Sequence, residues 1–173
     1  LRTHPLTQDR IADIAGRVRQ MGARPQPDSV DYVLVRAKIE AQQFGPQNAI
    51  ARFAARPAKT VAEQAARGYG LARAWLAEHK FAEARKELAQ LQALKLDTSM
   101  IAMLAADLAR AEGRADEAAQ ACHAAIAAYP ARQSLVYCEA ESWLAAGKPQ
   151  EALKAVDGPS RYNRQDYRLY MLQ

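Results

Sequence analysis

The sequence predicts an all-α protein, a right-handed α-solenoid of helical hairpins with about four repeats and one additional N-terminal helix. The main observation is a recurrence. Glutamate-alanine pairs are 34 residues apart, at 83–84, 117–118 and 151–152. Glycine recurs at the same step, at Gly113 and Gly147, and so does the series Trp75, Ala109 and Trp143. A fixed period of this length is typical of stacked supersecondary units.

The segment 99–132 indicates how one unit is built. Four apolar residues at helical spacing form the face of a first helix: Ile101, Leu104, Ala105 and Leu108. Gly113 is expected to end that helix. Ala118 and Ala125 are small, as a close helix crossing requires, and Pro130 follows them. In period and residue types the segment resembles a tetratricopeptide (TPR) repeat.

The repeats set the predicted domain boundaries. Residues 1–24 are assigned to a separate helix with its linker, and 25–173 to a TPR-like domain. The repeats are expected near 31–64, 65–98, 99–132 and 133–166, with another beginning at 167. The chain has no initiator methionine or signal peptide and ends within a predicted helix, so we expect it to be part of a larger protein.

Composition disfavours several classes of function. The net charge of +5 is dispersed among 24 basic and 19 acidic residues, whereas nucleic-acid binding favours a clustered basic face. An arginine-rich RNA-binding repeat is disfavoured for the same reason. No apolar stretch approaches the roughly 18 residues of a membrane-spanning helix.

A binding groove is expected on the first helix of each hairpin, which lines the concave wall of a TPR stack. Positions 2, 5, 9 and 12 of the repeats give the candidates: Tyr32, Val35, Tyr69, Arg73, Leu76, Met100, Met103, Asp107, Arg110, Tyr137, Glu141 and Leu144. Their mixed aromatic and charged character suits an extended peptide or a helix of a protein partner. Charge reversal at Arg73 or Arg110 is expected to weaken partner binding without unfolding the stack.

The N-terminal helix has two interpretations. Its apolar stripe, formed by Ile11, Ile14, Ala15 and Val18, is consistent with a helix that caps the solenoid. However, the segment 3–11, with His4, Pro5 and Arg10, resembles the motif that closes the catalytic domain of HtpX- and BepA-like zinc metallopeptidases. In the BepA-like branch a TPR tail follows that closing helix.

The resemblance implies a bacterial periplasmic protease that works on outer-membrane β-barrel proteins and helps to assemble them. The TPR tail would dock β-barrel assembly components or misfolded outer-membrane proteins. The family requires an HExxH helix for zinc, with two histidines as ligands and the glutamate as base. This chain has only His4, His79 and His123, at no such spacing. We therefore expect no catalytic residue or cofactor here, and zinc in an upstream domain. His79 is expected to be a solvated turn residue and His123 to be partly buried.

The two cysteines lie symmetrically about Pro130, with Cys122 eight residues before it and Cys138 eight residues after. In an antiparallel helix pair this places them at equal height, within reach of a disulfide. A bridge would stabilise the fold by roughly 3 kcal/mol in the chain-entropy model. The alternative is two buried thiols in a reduced protein. A free-standing TPR adaptor without an attached enzyme also remains open as a function, and a disulfide would weigh against a cytoplasmic one.

Overall fold

The structure is a computed structural model that describes residues 7–22 and 28–162. Within these ranges the chain forms nine α-helices and no strand. They are α1 (Thr7–Gln20), α2 (Val30–Gln43), α3 (Pro46–Ala54), α4 (Val61–Ala77), α5 (Phe81–Ala93), α6 (Ser99–Ala111), α7 (Ala115–Ala128), α8 (Gln133–Ala145) and α9 (Pro149–Tyr162). The all-helical prediction is confirmed, and the right-handed TPR superhelix stays a prediction.

The helices from α2 onward pack in chain order. Each contacts the helix that follows it, and α2 also contacts α4, α4 contacts α6, and α6 contacts α8. The first helices of successive hairpins therefore lie side by side. The start of a further repeat at residue 167 lies outside the described residues.

The turns within the hairpins carry the 34-residue period. One residue in each of the four turns has a left-handed backbone: Gly45, His79, Gly113 and Gly147, with φ of 71°, 56°, 81° and 72°. In the last three turns the next residue donates its N–H to a carbonyl five residues back, giving the hydrogen bonds Lys80 to Trp75, Arg114 to Ala109 and Lys148 to Trp143. Pro46 has no N–H, so the first turn lacks this bond.

Helix α4 is the centre of the larger core. It packs against α2, α3, α5 and α6, and its buried residues include Tyr69 and Leu71. Gly70 of α4 lies directly against the fully buried ring of Phe53 from α3, because a Cβ at position 70 would lie 2.3 Å from that ring. The absence of a side chain at Gly70 lets these helices approach.

Helix α1 leaves its apolar stripe in solvent. Ile11, Ile14 and Val18 are 62%, 58% and 44% exposed, and Met21 after the helix is 81% exposed. A helix that capped the stack would bury this stripe, so the capping interpretation finds no support in the described contacts. Arg10 lies on the same helix and is exposed, whereas His4 and Pro5 lie outside the described residues.

Candidate protein-interaction groove

A cleft of about 420 Å³ opens among the first helices of three hairpins. Helix α2 forms one wall, and the beginnings of α6 and α8 form the other. The lining residues are Asp31, Val35, Lys38, Ile39, Gln42, Ser99, Met100, Met103, Arg132 and Ser134. Three of these, Val35, Met100 and Met103, are among the groove residues predicted from the sequence. We call this cleft the groove.

The wall formed by α2 presents an exposed apolar stripe. Tyr32, Val35 and Ile39 are spaced by three and four residues and are 52%, 43% and 48% exposed. Val35 and Ile39 line the groove opposite Met100 and Met103. Methionine side chains adapt to varied partners, and such surfaces are typical of sites that accept more than one ligand.

One end of the groove is closed by polar contacts to Asp31, in the first turn of α2. Thr98, the N-cap of α6, donates a hydrogen bond from its Oγ1 to Asp31 Oδ1 at 2.6 Å. Arg132, the N-cap of α8, forms an ion pair with the other oxygen of Asp31. These contacts join residues 67 and 101 positions apart, so they connect the first hairpin to the third and fourth.

The predicted charged residues form an ion-pair ladder across α4, α6 and α8. The carboxylate of Asp107 accepts hydrogen bonds from both Arg73 and Arg110. Arg110 also forms an ion pair with Glu141, at 3.2 Å. Arg110 further contacts Ser142 at 3.4 Å. Arg73, Asp107 and Glu141 are separated by 34 residues each, so the repeat itself aligns them.

The ladder changes what charge reversal would do. Arg73 and Arg110 are half-buried and already paired with Asp107, so an acidic residue at either site would place like charges together. Such variants would lose stability as well as any partner contact. The expectation that such variants would still fold stays a prediction, to which the ion pairs add an expected loss of stability.

The remaining predicted groove residues divide by exposure. Leu144 and Glu141 are exposed and Leu76 is half-buried. Tyr69 and Tyr137 are only 2% and 8% exposed, because their position points into the contacts between helices. Burial raises the pKa of Tyr69 to about 12. In this structure both tyrosines are packing residues, which differs from the sequence expectation of a groove-facing role.

Sequence reasoning missed seven of the ten groove residues, among them Gln42, Ser99 and Ser134. Ile39 is 34 residues before Arg73, so the repeat could have identified it. Lys38, Asp31 and Arg132 fall outside the chosen repeat positions. The pairing of Asp31 with Arg132 gives no local sequence signal because 101 residues separate them.

The two cysteines join α7 to α8. Their Cα atoms are 5.9 Å apart, within the range that disulfides occupy, and the structure places a bond between their sulfur atoms. Cys122 is fully buried and Cys138 is 5% exposed.

Neither described histidine belongs to a metal site. His79 is an exposed turn residue whose ring lies edge-on to Phe81. His123 is largely exposed and bonds Glu139 at 2.9 Å, so the expected partial burial is corrected. Residues 7–22 and 28–162 contain no group of histidine, cysteine or acidic residues that could hold a metal ion. They therefore do not fit the zinc that the family resemblance implies.

No helix in the described part of the chain is both long enough and apolar enough to cross a membrane.

The chain is similar to curated proteins named beta-barrel assembly-enhancing protease. It is 29% identical over 170 residues to the beta-barrel assembly-enhancing protease of Escherichia coli (strain K12). Proteins of the same name from Shigella flexneri and Escherichia coli O157:H7 match equally. The alignment covers 96% of this chain but 34% of each relative, in its C-terminal part, so the chain spans about a third of their length. No protein-family model and no solved structure matches.

Proposed function

We propose that this chain is a protein-interaction scaffold, the TPR-type tail of a periplasmic zinc metalloprotease. It would dock substrates or the outer-membrane β-barrel assembly machinery. The observation that carries the proposal is the groove, a mixed apolar and polar cleft that extends over three hairpins. The similarity to the C-terminal part of the beta-barrel assembly-enhancing proteases is consistent with a protein-interaction role in β-barrel assembly.

The chemistry of the groove suits a protein segment. Val35, Ile39 and Met103 offer apolar contacts, while Lys38 and Gln42 can hydrogen-bond the backbone or polar side chains of a ligand. Aromatic and methionine side chains are enriched at protein interfaces. A volume of about 420 Å³ accommodates a few side chains, as in the recognition of an extended segment.

The proposal includes a TPR-like arrangement of the helices and a periplasmic location. The recurrence of a left-handed turn residue every 34 positions supports a TPR-like solenoid. The bond between Cys122 and Cys138 suits the oxidising periplasm. Zinc and catalysis would belong to another part of the protein. Mass spectrometry of unreduced, alkylated protein checks the disulfide, and two alkylated cysteines would contradict it.

The test uses polar substitutions on the exposed wall of the groove. Val35→Asp and Ile39→Asp are each expected to weaken binding about ten-fold or more, because a carboxylate would be desolvated against Met100 and Met103. Binding is measured by surface plasmon resonance, with purified β-barrel assembly components and an unfolded outer-membrane β-barrel protein as the two partners. Leu153→Asp on α9 is the matched control, since Leu153 is 45% exposed but lies outside the groove.

Two results would contradict the proposal. One is binding that Leu153→Asp weakens as much as the groove variants do. The other is no binding of either partner by the unmodified chain, which would favour an adaptor of different specificity. Circular dichroism of each variant excludes loss of helicity as the cause.

A further inference from the structure

A second cleft, separate from the groove, lies among α7, α8 and α9 and has a volume of about 540 Å³. Its walls are largely apolar, with Ile126 from α7, Val136 and Trp143 from α8, and Ala155 from α9. The carboxyl group of Glu139 from α8 also lines it. The cleft therefore combines an apolar surface with charged groups, since Glu151 and Lys154 of α9 line it as well.

Glu139 is a buried acid whose ion-pair partner among the described residues is His123, which carries a charge only when protonated. The residue is 7% exposed, and among the described residues no lysine or arginine forms an ion pair with it. Its described contacts are His123 Nδ1, which donates at 2.9 Å, and Trp143 Nε1, which donates at 3.4 Å. Both donors reach the same oxygen, Oε1. Buried acids in proteins are usually paired with a positive charge, so this carboxylate is suited to a ligand that supplies one.

Two neighbouring features favour a guanidinium group. A cation already lies near the ring of Trp143, since Lys148 Nζ, which also pairs with Asp116, is 5.3 Å from the ring centroid. Glu151 and Lys154 in the cleft pair with each other at 2.8 Å, so Glu139 is the lining carboxylate that no described lysine or arginine compensates. A planar guanidinium can bond a carboxylate and stack on an aromatic ring together. We propose that this cleft binds an arginine side chain of a protein partner, with Glu139 as its counter-ion.

The proposal is tested on the unmodified chain with two peptides. The probes are acetyl-Leu-Arg-Leu-amide and acetyl-Leu-citrulline-Leu-amide, which differ in charge but scarcely in shape. Binding is followed by NMR at the indole N–H of Trp143, assigned with a Trp143→Phe variant. The arginine peptide is expected to bind about ten-fold more tightly than the citrulline peptide. Equal affinities, or no saturable shift at Trp143, would overturn the proposal.

Two glutamate variants locate the effect. Glu139→Gln is expected to abolish the preference for arginine, because the amide keeps the shape and removes the charge. Glu117→Gln on α7 is the control, since this exposed glutamate pairs with Arg114 outside the cleft, and it should keep the preference. A preference that survives in a folded Glu139→Gln variant would overturn the assignment. Should that variant lose helicity, the two-peptide comparison on the unmodified chain decides the question. Val35→Asp should not affect this binding, so failure here and failure of the groove are distinguishable.

Discussion

At the scale of single residues, the hairpin turns depend on one left-handed residue each. Glycine occupies this position in three of the four turns, and His79 occupies it in the remaining one with a φ of 56°. A side chain in this conformation costs about 1–2 kcal/mol, which glycine avoids. The left-handed backbone therefore recurs in all four turns, whereas the glycine does not.

Replacing His79 and Gly113 should move stability in opposite directions. His79→Gly is expected to stabilise the chain by roughly 0.5 kcal/mol, since relief of strain exceeds the added freedom of the unfolded chain and the loss of the Phe81 contact. Gly113→Ala is expected to destabilise it by about 1 kcal/mol. Urea denaturation measures both. A His79→Gly variant as unstable as Gly113→Ala would contradict this account.

A second residue-scale feature is the pairing of Glu40 with Arg56. Arg56 Nη2 lies 2.6 and 2.8 Å from the two oxygens of Glu40, joining α2 to the segment after α3. The hydrogen bond from Arg56 lowers the pKa of Glu40 below its ordinary value of 4.5, and the charges of Arg56 and Arg52 act in the same direction against burial. A carboxylate whose folded-state pKa is lowered stabilises the fold above its unfolded pKa and loses this contribution as the pH falls.

The pH dependence of Glu40→Gln follows from that sign. At neutral pH the variant should be less stable than the parent chain, because the charge-assisted bonds are lost. The difference should narrow below pH 4.5, as Glu40 becomes protonated in the parent. Free energies of unfolding measured across this range check it, and the other acids cancel between the two proteins. A difference that is constant with pH would exclude the pairing as its source.

At the scale of elements, α4 depends on two glycines. Gly70 accommodates the ring of Phe53, and a Cβ at Gly68 would lie 3.3 Å from Leu91 of α5. Glycine normally weakens a helix interior by roughly 1 kcal/mol. Here that cost is offset by close packing of α4 against both α3 and α5, with Phe53 and Leu91 almost fully buried.

Substitution of Gly70 tests this packing. Gly70→Ala should destabilise the chain by about 3 kcal/mol despite the higher helix propensity of alanine, because the ring of Phe53 cannot move aside within the core. Gly16→Ala in α1 is the control, since a Cβ there meets nothing within 4 Å and should cause no loss. Thermal unfolding compares the two variants. Equal stability of both would mean that α3 does not pack on α4 as described.

At the scale of the whole molecule, the sequence period predicted the features that form within a hairpin or recur from one hairpin to the next. The helices and the turn after α6 follow from apolar spacing and from Gly113, and the ion-pair ladder follows the 34-residue step from Arg73 to Asp107 to Glu141. The contact of Asp31 with Arg132 could not be predicted, because it depends on how helices far apart in the sequence pack together. Tyr69 could not be assigned to the core because its repeat position carries no information on how closely α4 is surrounded.

The central claim is that the groove on the first helices is the surface that contacts a protein partner. A photo-cross-linking amino acid at position 39, in the groove, and at position 153, outside it, tests this most directly in bacterial cells. The account predicts cross-links from position 39 to a β-barrel assembly component or to an outer-membrane β-barrel protein, and none from position 153. Cross-links to these proteins from position 153 alone, or none from position 39, would contradict it.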